Sequence, residues 1–134
     1  MKDIKKIIAT IVIAITFVTA MSTLAASNQY IYLPSNQVWV TAGSATRNTN
    51  YSTVSARCHS VYPNSGTDNY ESIQCRVLTS NGIPITSVYI LNETAVSFTS
   101  MKIREGYISY TPVTFQFRGN KEYSANAVVS YLGY

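Results

Sequence analysis

An all-β fold, a single antiparallel β-sandwich of about seven strands and immunoglobulin-like size, is predicted by three features of the chain beyond residue 26. Short segments rich in Val, Ile, Thr, Tyr and Phe follow one another, and these β-branched and aromatic residues suit a pleated, half-buried surface. Turn-forming residues separate them at regular intervals: Gly43, Pro63 with Gly66, Gly82 with Pro84, Gly106 and Gly119. No amphipathic helical stretch interrupts the series, and such a succession of short strands and turns is what a two-layer β domain requires.

The N-terminus is of a different kind. Lys2, Lys5 and Lys6 precede the apolar run IIATIVIAITFVTA, which gives way to the small-residue stretch MSTLAAS. A basic head, an apolar middle and a small-residue end are the parts of a secretory signal peptide. Residues 1–26 are assigned to it, and 27–134 to one β-sandwich domain that is secreted or held at the cell surface. After its removal, seven Lys and Arg face five Asp and Glu. A net charge of +2 with scattered bases argues against a nucleic-acid partner, which demands clustered positive charge. No apolar tail follows the domain, so stable membrane insertion after cleavage is not expected.

Strands are predicted near 37–42, 51–62, 70–79, 85–91, 95–104, 107–117 and 124–132, with YIYL at 30–33 as a short edge strand. Alternation is clearest in VTFQFRG, where Val113, Phe115 and Phe117 share one face and Thr114, Gln116 and Arg118 the other. Pro112 has no N–H to give a ladder, so it bends this segment or separates YISY from VTFQF. The polar stretch SATRNTNYST at 44–53 is predicted to be a long exposed loop.

Both cysteines lie in ARCHSVYPNSGTDNYESIQCRV, symmetrically about Gly66 and Thr67. A hairpin turning through 64–69 would set Cys58 opposite Cys75, both on the apolar side. In an exported protein such a pair reads as a disulfide, worth about 3 kcal/mol by restricting the unfolded chain. A zinc site is disfavoured because His59, adjacent to Cys58, projects to the other face and no further His completes a tetrahedral set. The same register places Arg57 opposite Arg76 on the outer face, with His59 nearby. Like charges so placed are mildly destabilising; two long side chains splayed into water account for the pair most simply, and the alternative is an anion held between two guanidinium forks.

The chain holds eleven tyrosines against one tryptophan. Their rings serve either as cross-strand filler or as an exposed platform for sugars or protein, and Tyr62 and Tyr70 are the candidates beside the cysteine hairpin. There is no G-x-S-x-G elbow, no phosphate-binding glycine loop and no H-E-x-x-H. No catalytic, metal or cofactor site is therefore assigned. The expected function is a non-enzymatic extracellular binding or surface-interaction module, with Arg57, His59, Arg76, Tyr62 and Tyr70 as candidate contacts. Its partner would be an extracellular protein, a glycan or a cell-envelope component. The alternative is a secreted toxin or bacteriocin-like polypeptide acting on a cell envelope.

Overall fold

A computed structural model describes residues 25–67 and 69–134. The predicted signal segment lies outside the described residues except for Ala25 and Ala26. Eight strands are present: β1 (Ala25–Leu33), β2 (Val40–Ala45), β3 (Thr53–Pro63), β4 (Ser72–Thr79), β5 (Tyr89–Asn92), β6 (Thr99–Lys102), β7 (Val113–Gly119) and β8 (Ala125–Leu132). A single 3-10 turn over Ser35–Gln37 joins β1 to β2.

The strands form two antiparallel sheets, sheet A in the order β1-β8-β3-β6 and sheet B in the order β2-β7-β4-β5. The first strand pairs with the last, the second with the seventh, the third with the sixth and the fourth with the fifth. Nested pairing of this kind, in which every connection but that from β4 to β5 crosses between two four-stranded layers, is the strand order of a jelly roll. The predicted all-β class holds, with eight strands instead of seven.

Alternation builds the core. In β7, Val113, Phe115 and Phe117 are buried while Thr114, Gln116 and Arg118 are not. Val54, Ala56 and Cys58 of β3, with Ile73, Cys75 and Val77 of β4, point inward from the two sheets. One cluster also takes in Leu33, Ala127, Val129 and Tyr131, so both sheets share a single core. Phe115 and Tyr131 stack across it at 4.5 Å between ring centroids.

Several boundaries differ from expectation. The edge segment is a full strand from Ala25, bulged between Ala26 and Gln29 where Asn28 takes a positive φ of 52°. The long segment 107–117 divides as its proline suggests: 107–110 make turns, with Tyr107 and Tyr110 N–H groups donating to the carbonyls of Arg104 and Tyr107, and β7 starts after Pro112. The loop at 46–52 is not wholly exposed, because Arg47 is buried within it.

The largest correction concerns the cysteine hairpin, which does not exist. β3 belongs to sheet A and β4 to sheet B. Cys58 neighbours Val129, while Cys75 lies between Phe117 and Tyr89. Both thiols are buried and free. Symmetry about Gly66 gave the wrong pairing because residues 64–71 form a connection longer than the roughly two to five residues of a hairpin loop. Tyr70 anchors that connection, its hydroxyl lying 3.2 Å from the carbonyl oxygens of Lys121 and Tyr123 and from the Lys121 N–H. The chain thereby leaves one layer and enters the other.

Candidate functional site

The outer face of sheet A presents an aromatic row fixed by strand register. Tyr32 and Tyr62 flank Asn126 from its two sides, and Tyr30 and Ser60 flank Val128 in the next row. Inward placement of Leu33, Ala125, Ala127 and Val61 turns all of these neighbours outward. Tyr30, Tyr32 and Tyr62 are 82%, 56% and 44% exposed. Two strand spacings separate Tyr32 from Tyr62, roughly 9.5 Å, while Tyr30 and Tyr32 stand roughly 6.7 Å apart along one strand. Asn126 gives its amide N–H to the Asn64 side-chain oxygen, which orients it between the two rings.

Three of the sequence candidates, Arg57, His59 and Tyr62, share this face because the bulge of β3 between Cys58 and Ser60 resets the alternation, leaving Cys58 and Val61 inward. Arg57 opposes Ser130, not Arg76, and its Nε donates to the Ala95 carbonyl at 3.2 Å. His59 Nε2 lies 2.7 Å from Ser130 Oγ. Burial, and then the charge of Arg57, hold its imidazole below the ordinary range. Ser130 is itself buried and also accepts the Asn28 N–H at 2.9 Å. The contact thus ties the bulges of β1 and β3 to the central strand between them. Tyr70 is the candidate that the structure removes from the surface: it is 1% exposed and packs edge-on against Tyr123.

Arg76 stands on the opposite side of the molecule, on the outer face of sheet B. Its neighbour there is Arg118, one strand over and diagonal in register. The two guanidinium carbons lie 4.3 and 4.4 Å from the centroid of Trp39. Arg76 Nε donates to Gln116 Oε1 at 2.9 Å, and Gln116 Nε2 to Thr41 Oγ1 at 3.2 Å. Arg118 Nε donates to Gln74 Oε1 at 2.5 Å, Gln74 Nε2 to Asn120 Oδ1 at 2.9 Å, and Asn120 Nδ2 to Ser72 Oγ at 2.7 Å. Burial and the neighbouring charge of Arg118 lower the pKa of Arg76.

Sequence reasoning placed Arg76 and Arg118 each on an outward face but did not join them. The missing information was that β4 pairs with β7, which no local pattern reports. Trp39 was likewise passed over, since it lies just before β2 and enters this face through the β2–β7 pairing.

Chemistry elsewhere is sparse. Burial, and secondarily the charge of Glu93, push the Cys58 thiol up to about 12, and burial raises that of Cys75 as well. A cleft of about 880 Å³ opens between β1 and β2 beside Tyr131 and Pro112, with no charged side chain in its lining. Among the described residues, no three His, Cys, Asp or Glu side chains gather as a metal site, and no helix is long and apolar enough to cross a membrane. Comparison of the chain with protein-family models, with curated proteins and with solved structures finds no match.

Proposed function

We propose that this protein is a secreted, non-enzymatic binding module whose ligand is a glycan laid across the outer face of sheet A. The observation that carries this reading is the row Tyr32, Asn126 and Tyr62 with Tyr30 beside it, three exposed rings on a rigid sheet. Exposed aromatic clusters of this kind mark interaction surfaces. A tyrosine ring offers an apolar face to the C–H side of a sugar and a hydroxyl at its rim, and an oriented asparagine offers hydrogen bonds to sugar hydroxyls. The lysine-led apolar run at residues 7–20 supports export.

The test is a glycan array together with binding to isolated cell walls, using residues 27–134 and the double variant Tyr32→Ala/Tyr62→Ala. Each ring contributes about 1 kcal/mol on the scale of aromatic contacts, so the double variant is expected to bind roughly thirtyfold more weakly while unfolding at nearly the wild-type temperature. Failure of the wild-type protein to bind any glycan or wall, or full binding by the double variant, overturns the proposal.

A further inference from the structure

We infer that Arg76 and Arg118, braced against Trp39 on the outer face of sheet B, form a second binding site, specific for an oxyanion group carried on a sugar chain. The site lies on the other sheet from the tyrosine row and stands independently of it.

Three observations lead there. The first is preorganisation: each Nε is already committed to a glutamine, and the glutamines are held in turn by Thr41 and by Asn120 with Ser72. Donor chains of this kind polarise one another. They hold each guanidinium in one plane, and Trp39 supports both groups through its ring. The second is unused capacity. Among the described residues, Nε is the only guanidinium atom of either arginine with a hydrogen-bond partner, which leaves the two terminal amino groups, the edge that meets an oxyanion with two parallel N–H groups, uncommitted.

The third is charge. Burial, and then the like charge of Arg118, disfavour the protonated state of Arg76, and an anion bound between the two groups offsets both. The surroundings select the carrier of the anion. Thr41, Ser72, Gln74, Gln116 and Asn120 are neutral hydrogen-bonding groups, suited to hydroxyls. A nucleic acid or an anionic membrane presents closely spaced phosphates and requires a broader cluster of bases, whereas two arginines among amides suit one charged group on an otherwise neutral polymer. Carboxylate and sulfate share this chemistry.

The experiment uses the lone tryptophan of the chain as its reporter. Trp39 fluorescence is titrated at low ionic strength with polygalacturonate, dextran sulfate, neutral dextran and single-stranded DNA. The expected result is a saturable change with polygalacturonate or dextran sulfate, reversed by salt, and none with neutral dextran. Which of the two polymers binds more tightly assigns carboxylate or sulfate. Arg76→Gln and Arg118→Gln, which keep a hydrogen-bonding side chain, should each weaken binding about tenfold or more, the scale of a hot-spot contact. Arg104→Gln, at an exposed arginine in the connection after β6, should not. Affinity electrophoresis supplies a second readout free of fluorescence. No response to either acidic polymer overturns the inference, as does an equal loss with Arg104→Gln, equal binding of DNA, or wild-type binding by both glutamine variants.

Discussion

Arg47 is a buried cation whose partners are carbonyl groups, and its removal gives a quantitative test of how the loops at one end of the sandwich are held. The residue is 4% exposed. Its guanidinium donates to the carbonyls of Ile108 and Tyr51 and, at 3.5 Å, to that of Thr53, while its backbone N–H donates to Thr111 Oγ1 at 2.9 Å. The connection from β2 into β3 is thereby tied to the segment 107–111. Burial lowers its pKa, and its Nε is left without a partner.

Replacing Arg47 by Met keeps an unbranched apolar stem and deletes the donors. Two bonds from a charged group are worth about 1.5–3 kcal/mol each. Against this, the variant no longer buries a charge with one unpaired N–H, a relief of about 1–3 kcal/mol. The expected net loss is about 3 kcal/mol, or a fall in Tm of roughly 12 °C or more for a domain of this size. Urea unfolding followed by Trp39 fluorescence, with calorimetry in parallel, measures both. The denaturant slope should not change, because the folded core is untouched. An Arg47→Met protein within about 1 kcal/mol of wild type would refute the reasoning, since the guanidinium would then be dispensable to the carbonyls it joins.

Two further predictions concern the interior. At pH 8 a thiol with its pKa near 12 is ionised to roughly one part in ten thousand, so native protein should react negligibly with a disulfide reagent, whereas denatured protein should release two equivalents; rapid native reaction, or no thiol after denaturation, would contradict the observed cysteines. A Cβ added at Gly119 would overlap the Tyr70 hydroxyl, with Tyr70 Cζ only 3.3 Å away, so Gly119→Ala should cost about 1–3 kcal/mol by overpacking, and in a double-mutant cycle measured by thermal unfolding Tyr70→Phe should recover part of it; strict additivity would show that the two positions do not press on each other.

What could be read from the sequence was local. Period-two alternation correctly sided Val113, Phe115 and Phe117 against Thr114, Gln116 and Arg118, and turn residues marked the ends of β3, β4 and β7, because both are set by neighbours in the chain; Gly43, by contrast, lies inside β2, and β5 and β6 are shorter than the expected 85–91 and 95–104. Pairing is set by the whole core and was not legible. Cys58 and Cys75 were rightly turned inward but wrongly joined, since inward-facing residues of two strands are compatible both with one sheet and with two facing sheets. The same ambiguity put Arg57 opposite Arg76, when the true companion of Arg76 is Arg118, more than forty residues later in the chain. Tyr70 shows the limit of composition: its ring type suits a surface and a core equally, and only the closure of the 64–71 connection over the β7–β8 turn decides between them.

The position of β8 has a consequence for biosynthesis. This strand, last in sequence, lies between β1 and β3 at the middle of sheet A, where it supplies Ala125, Ala127, Val129 and Tyr131 to the core. A nascent chain that has not yet emerged past residue 125 possesses neither the centre of that sheet nor the partner of its first strand. Long-range pairing of this sort makes folding slow, and it postpones completion of sheet A until residues 125–132 have been made. Until those residues emerge, β1 and β3 present unpaired edges to each other across the empty place of β8, and such edges are what a chaperone would have to shield.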